Sequence, residues 1–302
     1  MGLIAEAREA LRYRELLRNL VRRELQVRYK NSRLGVVWSL ANPIVRALIV
    51  VVVFKFFVPL GVDNYSAYVL AAFFPWTYFL TGVLDAGESV SRQMPLVRKV
   101  YFPRELLPLA TTIANLRHFL LSLGVLLFYI AAVYVSSWFG PKPALPPWQI
   151  ALLPVLVLMQ TLLIAGIALF ISALNVFFED VKFLVNVVLD LLFYAVPIIY
   201  FAEQVRDSPA LAGGAGHVFY NLLLLNPMTV ILASYRAFLL PPQEIPLRPG
   251  FGASAVAGDA RLLVNTGVPL PYFLLAFAVC ALAFVGGYAF FNARKWRFVE
   301  QL

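Results

Sequence analysis

The chain contains a single cysteine, Cys280, and only two histidines, His118 and His217. One thiol closes no intrachain disulfide, and this set cannot build the usual His/Cys metal centre. Charge is scarce as well. Asp, Glu, Lys and Arg make up 14% of 302 residues, whereas soluble domains carry about a quarter because their surfaces face water. Neither the phosphate-cradling pattern G-x-x-x-x-G-K-[ST] nor a G-x-S-x-G nucleophile elbow occurs. Their absence excludes ATP hydrolysis by the first route and acyl transfer by the second. No metal and no cofactor bound by this chain are expected.

Apolar surface is abundant instead: 61% of the residues are hydrophobic and the mean hydropathy is +0.80. This is the composition of an integral membrane protein. The formal charge of +9 raises nucleic acid as a partner. The basic residues, however, flank apolar runs and form no continuous stripe, so headgroups and cytoplasmic orientation account for them and no nucleic acid is expected. The first apolar run starts near Ile44, too far in and too long for a secretory signal.

Residues 22–43, RRELQVRYKNSRLGVVWSLANP, lead from a basic segment into a membrane-length apolar one. Upstream, residues 1–30 suit a helix lying on the membrane. At 100° per residue Tyr13, Leu16, Leu17, Leu20, Val21 and Val27 share one side, with Glu15, Arg18, Asn19, Arg22 and Gln26 opposite. Glu24 falls on the apolar side and Leu25 off it. Such a helix binds anionic headgroups or covers protein, and residues 1–42 are therefore read as a cytoplasmic interface segment.

The remainder, residues 43–302, reads as a transmembrane domain with spans at about 44–60, 67–84, 109–135, 150–178, 183–201 and 270–291. Arg46 and Lys55 lie near the ends of the first, where long side chains reach headgroups. The second carries the cluster Phe73, Phe74, Trp76, Tyr78 and Phe79 around Pro75, which serves either as an interfacial belt or as a pathway lining. Residues 85–105 are polar and basic, holding Glu88, Arg92, Leu96, Arg98, Lys99 and Arg104, and read as a cytoplasmic loop of short helices divided by Pro95 and Pro103. Arg117 and His118 sit well inside the third apolar run. An intramembrane Arg needs a partner subunit, a polar cavity or a carboxylate, and Asp190 is one candidate. Glu179 and Asp180 mark a short charged turn before the fifth span, which should bend near Pro197.

Residues 202–269 are the least regular, with an apolar run broken at Asn226 and Pro227. If that run crossed the membrane, Arg294, Lys295 and Arg297 would end outside. With six spans, 17 of the 25 Lys and Arg lie in segments read as cytoplasmic, five in external ones and three within spans. This bias supports six spans with both termini cytoplasmic. The broken run is then an external re-entrant hairpin, sheltered by protein or a water-filled cavity. The expected fold class is all-α.

The stretches RYKNSRLGVVWSLANP (28–43), FFPWTYF (73–79), VRKVYFPRELLPL (97–109), ALNVFFEDV (173–181) and LNPM (225–228) resemble the membrane-spanning subunits of type-2 ABC exporters for cell-surface polysaccharides. That family includes permeases for O-antigen, wall teichoic acid and capsule. The resemblance covers most of the chain, in the family's order. It implies a permease, not an enzyme, in a bacterial inner (plasma) membrane, working as a homodimer with two copies of a separate ATPase that uses ATP and Mg. It implies a polyprenyl-diphosphate-linked glycan as cargo. By similarity the basic N-terminal segment and the 85–105 loop, through Glu88, Arg92 and Leu96, meet the ATPase, with Glu179 and Asp180 as a second contact. Arg98, Lys99 and Arg104 are candidates for diphosphate attraction, and Phe73, Phe74, Trp76 and Tyr78 for the glycan route. The extended stretch 241–269 departs from shorter members of the family. The competing readings are an exporter of lipids or drugs, and a membrane enzyme acting through Asp85, Glu179, Asp180 or Asp190.

Overall fold

The computed structural model describes residues 12–28, 37–53, 56, 64–139, 145–208, 211, 214–246 and 261–299. Lys55, the end of the first expected span and residues 247–260 of the external segment lie outside these. The helices are α1 (Arg14–Arg28), α2 (Val37–Val52), α3 (Tyr65–Gly87), α4 (Ser89–Arg92), α5 (Met94–Lys99), α6 (Leu106–Trp138), α7 (Leu153–Phe177), α8 (Val181–Ala195), α9 (Ala202–Arg206), α10 (Ala215–Leu225), α11 (Pro227–Leu239) and α12 (Leu270–Arg294). Short 3₁₀ turns precede α7 and follow α12. A two-stranded antiparallel hairpin, β1 (Gln243–Pro246) with β2 (Arg261–Val264), departs from the all-helical expectation. Leu262 and Val264 are buried while Arg261 and Leu263 are exposed, the alternation of a half-buried strand.

Among the described residues four helical stretches are long and apolar enough to cross a bilayer: Tyr65–Gly87, Leu106–Trp138, Trp148–Phe177 and Leu270–Phe298. The pair α10 and α11, bent by 94°, makes a fifth if counted as one span. Asn226 and Pro227 make this bend. The Asn226 side chain accepts from the Met228 amide at 2.9 Å as an N-cap, and Pro227 occupies the first helical position, where its missing N–H costs nothing. The fifth expected span is helical only over the 15 residues of α8, a rise of about 22 Å against the ~30 Å hydrocarbon core. Pro197 ends it by forcing Val196 into an extended conformation.

The centre of the fold is α3, which is buried along most of its length and packs against α6, α7 and α11. The most extensive helix contact joins α7 to α12. Its crossing is closed by two glycines: a Cβ on Gly166 would strike the Ala283 backbone, and one on Gly287 the Gly166 backbone. In lipid, where burying apolar surface gives helices little drive to associate, such small-residue contacts bring backbones close enough for dispersion to act.

A second core lies at the end holding the 85–105 segment. Leu20 and Val21 of α1 are buried there against Val90, Val97, Phe102, Leu106 and Phe298. The amphipathic helix thus covers the protein's own end. Its buried face also drifts from the expected one, since Leu25 packs inward and Val27 is 60% exposed. Glu24, the charge on the apolar side, accepts a 2.6 Å hydrogen bond from Gln93.

Candidate functional site

Gly87 ends α3, and the chain turns through Glu88 into α4. This elbow is tied to the end of α7. Asn175 donates to the Gly87 carbonyl at 2.8 Å, and Ser91 donates to the Asn175 carbonyl at 3.3 Å. Beyond α7 the turn at Phe178, Glu179 and Asp180 leads into α8. Between elbow and turn lies a cavity of about 430 Å³ lined by Glu88, Ser91, Arg92, Asn175, Glu179 and Lys182, among others. Arg92 is held by Glu88 at 2.8 Å and faces Asp85 at 3.9 Å, while Asp85 accepts from Asn115 at 3.2 Å. Of the residues expected to meet an ATPase, Glu88, Arg92 and Glu179 therefore share one cavity. Asp180 is exposed in the adjoining turn, and Leu96 packs into the core beneath α1.

Arg98 and Lys99 end α5, with Lys99 exposed. Arg104 is half-buried, donates to the Lys295 carbonyl and sits 5.9 Å from the Phe298 ring centre. Burial lowers its pKa from the ordinary value, with Tyr101 and Glu105 opposing. Beside it Lys295 and Glu105 form a buried ion pair at 3.4 Å, with side chains 9% and 1% exposed. This pair joins the end of α12 to the start of α6.

Within this chain the aromatic cluster is core. Phe74, Trp76 and Tyr78 are buried and Phe73 is half-buried. Tyr78 stacks on Phe119 with centroids 4.6 Å apart and bonds Thr161 at 3.1 Å, and Trp76 meets Phe193 edge-on. Arg117 and Asp190 are both exposed on this chain, His118 is half-buried, and no ion pair joins Arg117 to Asp190 among the described residues.

Sequence reasoning missed Arg236. It lies on α11, 2% exposed, and its guanidinium donates to the carbonyls of Tyr68 at 2.9 Å, Tyr200 at 2.7 Å and Ile198. It thereby holds the non-helical stretch after α8 against α3. Asn265 donates to the Leu240 carbonyl at 2.8 Å, and buried Glu203 accepts from the Thr266 amide at 3.0 Å. The signal was present: an Arg in an apolar run is as costly at 236 as at 117.

A family profile described as ABC-2 type transporter matches residues 15–240. The chain belongs to this ABC-2 type transporter family. Relatives of this ABC-2 family chain include a Myxococcus xanthus protein named O-antigen export system permease protein RfbA, 32% identical over 235 residues, which are 78% of this chain and 84% of that one. Two Klebsiella pneumoniae proteins of the same name are 27% and 26% identical over 289 residues, 95% of each chain. The α3–α4 elbow, the α7–α8 turn and the bent α10–α11 pair all fall inside the matched region.

Proposed function

We propose that this chain is the transmembrane subunit of an ATP-driven exporter that moves polyprenyl-diphosphate-linked O-antigen polysaccharide outward. The observation that carries this is the likeness over 95% of the chain to proteins named O-antigen export permeases. The working unit is two copies of this chain with two copies of a separate ATPase, which supplies the phosphate loop absent here and uses ATP and Mg. The chain crosses the bacterial inner membrane six times with both termini cytoplasmic. Residues 202–269 lie outside, with α10 and α11 dipping in as a re-entrant pair.

ATP-driven closure of the ATPase pair acts on Glu88, Arg92, Leu96, Glu179 and Asp180. The tie between Asn175 and Gly87 supports this, because it lets a push on the elbow reach both α3 and α7. Arg98, Lys99 and Arg104 attract the diphosphate at headgroup level. The glycan passes between two copies of the chain along Phe73, Phe74, Trp76 and Tyr78. Since most of these are packed within one protomer, the route requires α3 to shift against α6 or α8 when it opens. Arg117, His118 and Asp190 lie at membrane depth and face the partner copy or the path.

Deleting the gene should leave lipid-linked glycan inside the cell and none on the surface, and the intact gene should restore export. Surface glycan that persists in the deletion strain, with a lipid or drug retained instead, refutes the cargo. Unchanged export in the double variant Arg98→Ala, Lys99→Ala removes the diphosphate assignment.

A further inference from the structure

We propose that the cleft between the residues leading into α6 and the turn leaving α12 binds the phosphate of a membrane lipid, with Arg104 as its anchor. The proposal rests on the membrane setting of these two helices and not on the cargo, so it stands or falls apart from the O-antigen reading. The cleft is lined by Tyr101, Phe102, Pro103, Arg104, Lys295 and Trp296 and has a volume of about 20 Å³. Among the described residues no carboxylate lines it. Glu105, the next residue along, has its side chain 1% exposed and accepts from Lys295.

What the cleft offers is donors. Arg104 gives one N–H to the Lys295 carbonyl, and with the Phe298 ring centre 5.9 Å away this fixes the half-buried guanidinium. The rest of its N–H groups bond nothing among the described residues. Tyr101 is 70% exposed and Trp296 58%. Neither the Tyr101 hydroxyl nor the Trp296 indole N–H, a group that can only donate, has a hydrogen bond among the described residues. A guanidinium with two further donors and no lining carboxylate selects an anion rich in acceptor oxygens, and phosphate matches the planar fork of arginine. The volume holds about one water-sized group, so one phosphate oxygen enters and the rest of the headgroup lies against the two exposed rings.

A lipid is the source of that phosphate because of where the cleft lies. Both α6 and α12 belong to stretches long enough to cross a bilayer, and the cleft joins an end of each. Exposed Tyr and Trp at the ends of such helices sit at headgroup depth, ring toward the acyl chains and polar group toward water. Val100 beside them is 54% exposed, an apolar rim that acyl chains cover and an aqueous anion leaves wet. Bilayer phospholipid and the diphosphate of a lipid-linked glycan share this chemistry, and the test separates them.

The full chain is purified in mild detergent from cells that make the surface glycan and from cells in which its synthesis is blocked, and the retained lipids are identified by native mass spectrometry. Phosphatidylglycerol and dioleoylglycerol, which has no phosphate, are then titrated onto the delipidated protein. The expected result is a phospholipid retained from both kinds of cell, and phosphatidylglycerol binding weakened about tenfold or more by Arg104→Gln. The double variant Tyr101→Phe, Trp296→Phe, which keeps both rings and removes their donors, should also bind more weakly. Arg18→Gln, an exposed position on α1 at the same end, should bind as the unchanged chain does. Retention of the glycan lipid alone, and only from cells that make it, assigns the same phosphate site to the cargo. The site is overturned if Arg104→Gln binds unchanged, if Arg18→Gln weakens binding equally, or if dioleoylglycerol binds as well as phosphatidylglycerol. Should Arg104→Gln not fold, the exposed double variant decides, and unchanged binding by it overturns the site. A photo-crosslinking residue at Trp296, irradiated in membranes that contain the ATPase, also overturns the site if it captures that protein and no lipid.

Discussion

Replacing Gly287 by alanine adds one methyl group where α12 crosses α7, and there is no space for it. The new carbon would lie 2.8 Å from the carbonyl carbon and 3.0 Å from the Cα of Gly166, against about 3.5–4.0 Å for unstrained carbon contact. The obstacle is backbone inside a helix, so no rotamer change relieves it and the two helices must part. A gap of about 0.5–1 Å forfeits a quarter to a half of each dispersion contact along the crossing, and overpacking of this kind costs about 3 kcal/mol or more. Alanine returns up to about 1 kcal/mol through its better helix propensity. The net loss is then at least about 2 kcal/mol, a fall of roughly 3 °C or more in Tm. The neighbouring glycine is the control. A Cβ on Gly286 meets nothing within 4 Å, so Gly286→Ala should leave Tm unchanged or raise it slightly. The assay is thermal unfolding of purified protein in one mild detergent, followed by tryptophan fluorescence and by monodispersity after heating. Equal Tm values for the two variants would refute the close crossing of α7 and α12.

The buried Glu105–Lys295 pair should behave as a unit: Lys295→Met or Glu105→Gln alone strands a charge and costs about 3–5 kcal/mol. The double variant Glu105→Leu, Lys295→Met should recover most of that loss, and a thermal-stability cycle in which the single losses simply add would disprove the coupling. Arg236→Met removes three hydrogen bonds from a charged donor while relieving the desolvation of that charge. The variant should lose about 2–4 kcal/mol net and become cleavable near residues 196–208 by protease added to the purified protein, and full protease resistance would show that Arg236 does not hold that stretch. Asn226→Ala removes the cap on α11 and should cost about 1 kcal/mol, whereas Asn226→Asp keeps an acceptor for the Met228 amide and should match the unchanged protein in Tm.

Several features were legible in the amino-acid order alone because they are one-dimensional. Apolar length, low charge and the distribution of Lys and Arg identify a membrane protein. The pair Asn226–Pro227 and the residue Pro197 mark helix breaks wherever they fall, since a proline removes an N–H and restricts its neighbour in any context. Motif likeness reached the family that the match over residues 15–240 establishes. Pairings between distant segments were not legible. Nothing local tells that Asn175 meets Gly87, that Glu105 meets Lys295, or that Arg236 caps carbonyls on two other segments, because these contacts depend on helix rotation and depth. The α1 face drifted from its expected register for the same reason: Gln93, 69 positions away, supplies a partner for Glu24. Gly286 and Gly287 show the division most plainly. They are identical neighbours in the sequence, and only the crossing of α7 over α12 leaves one in open space and the other against a backbone. Composition and periodicity determined what this chain is made to live in and the kinds of elements it forms. Tertiary packing decided which atoms those elements place together, because a buried polar group must find its partner wherever the fold brings one within reach.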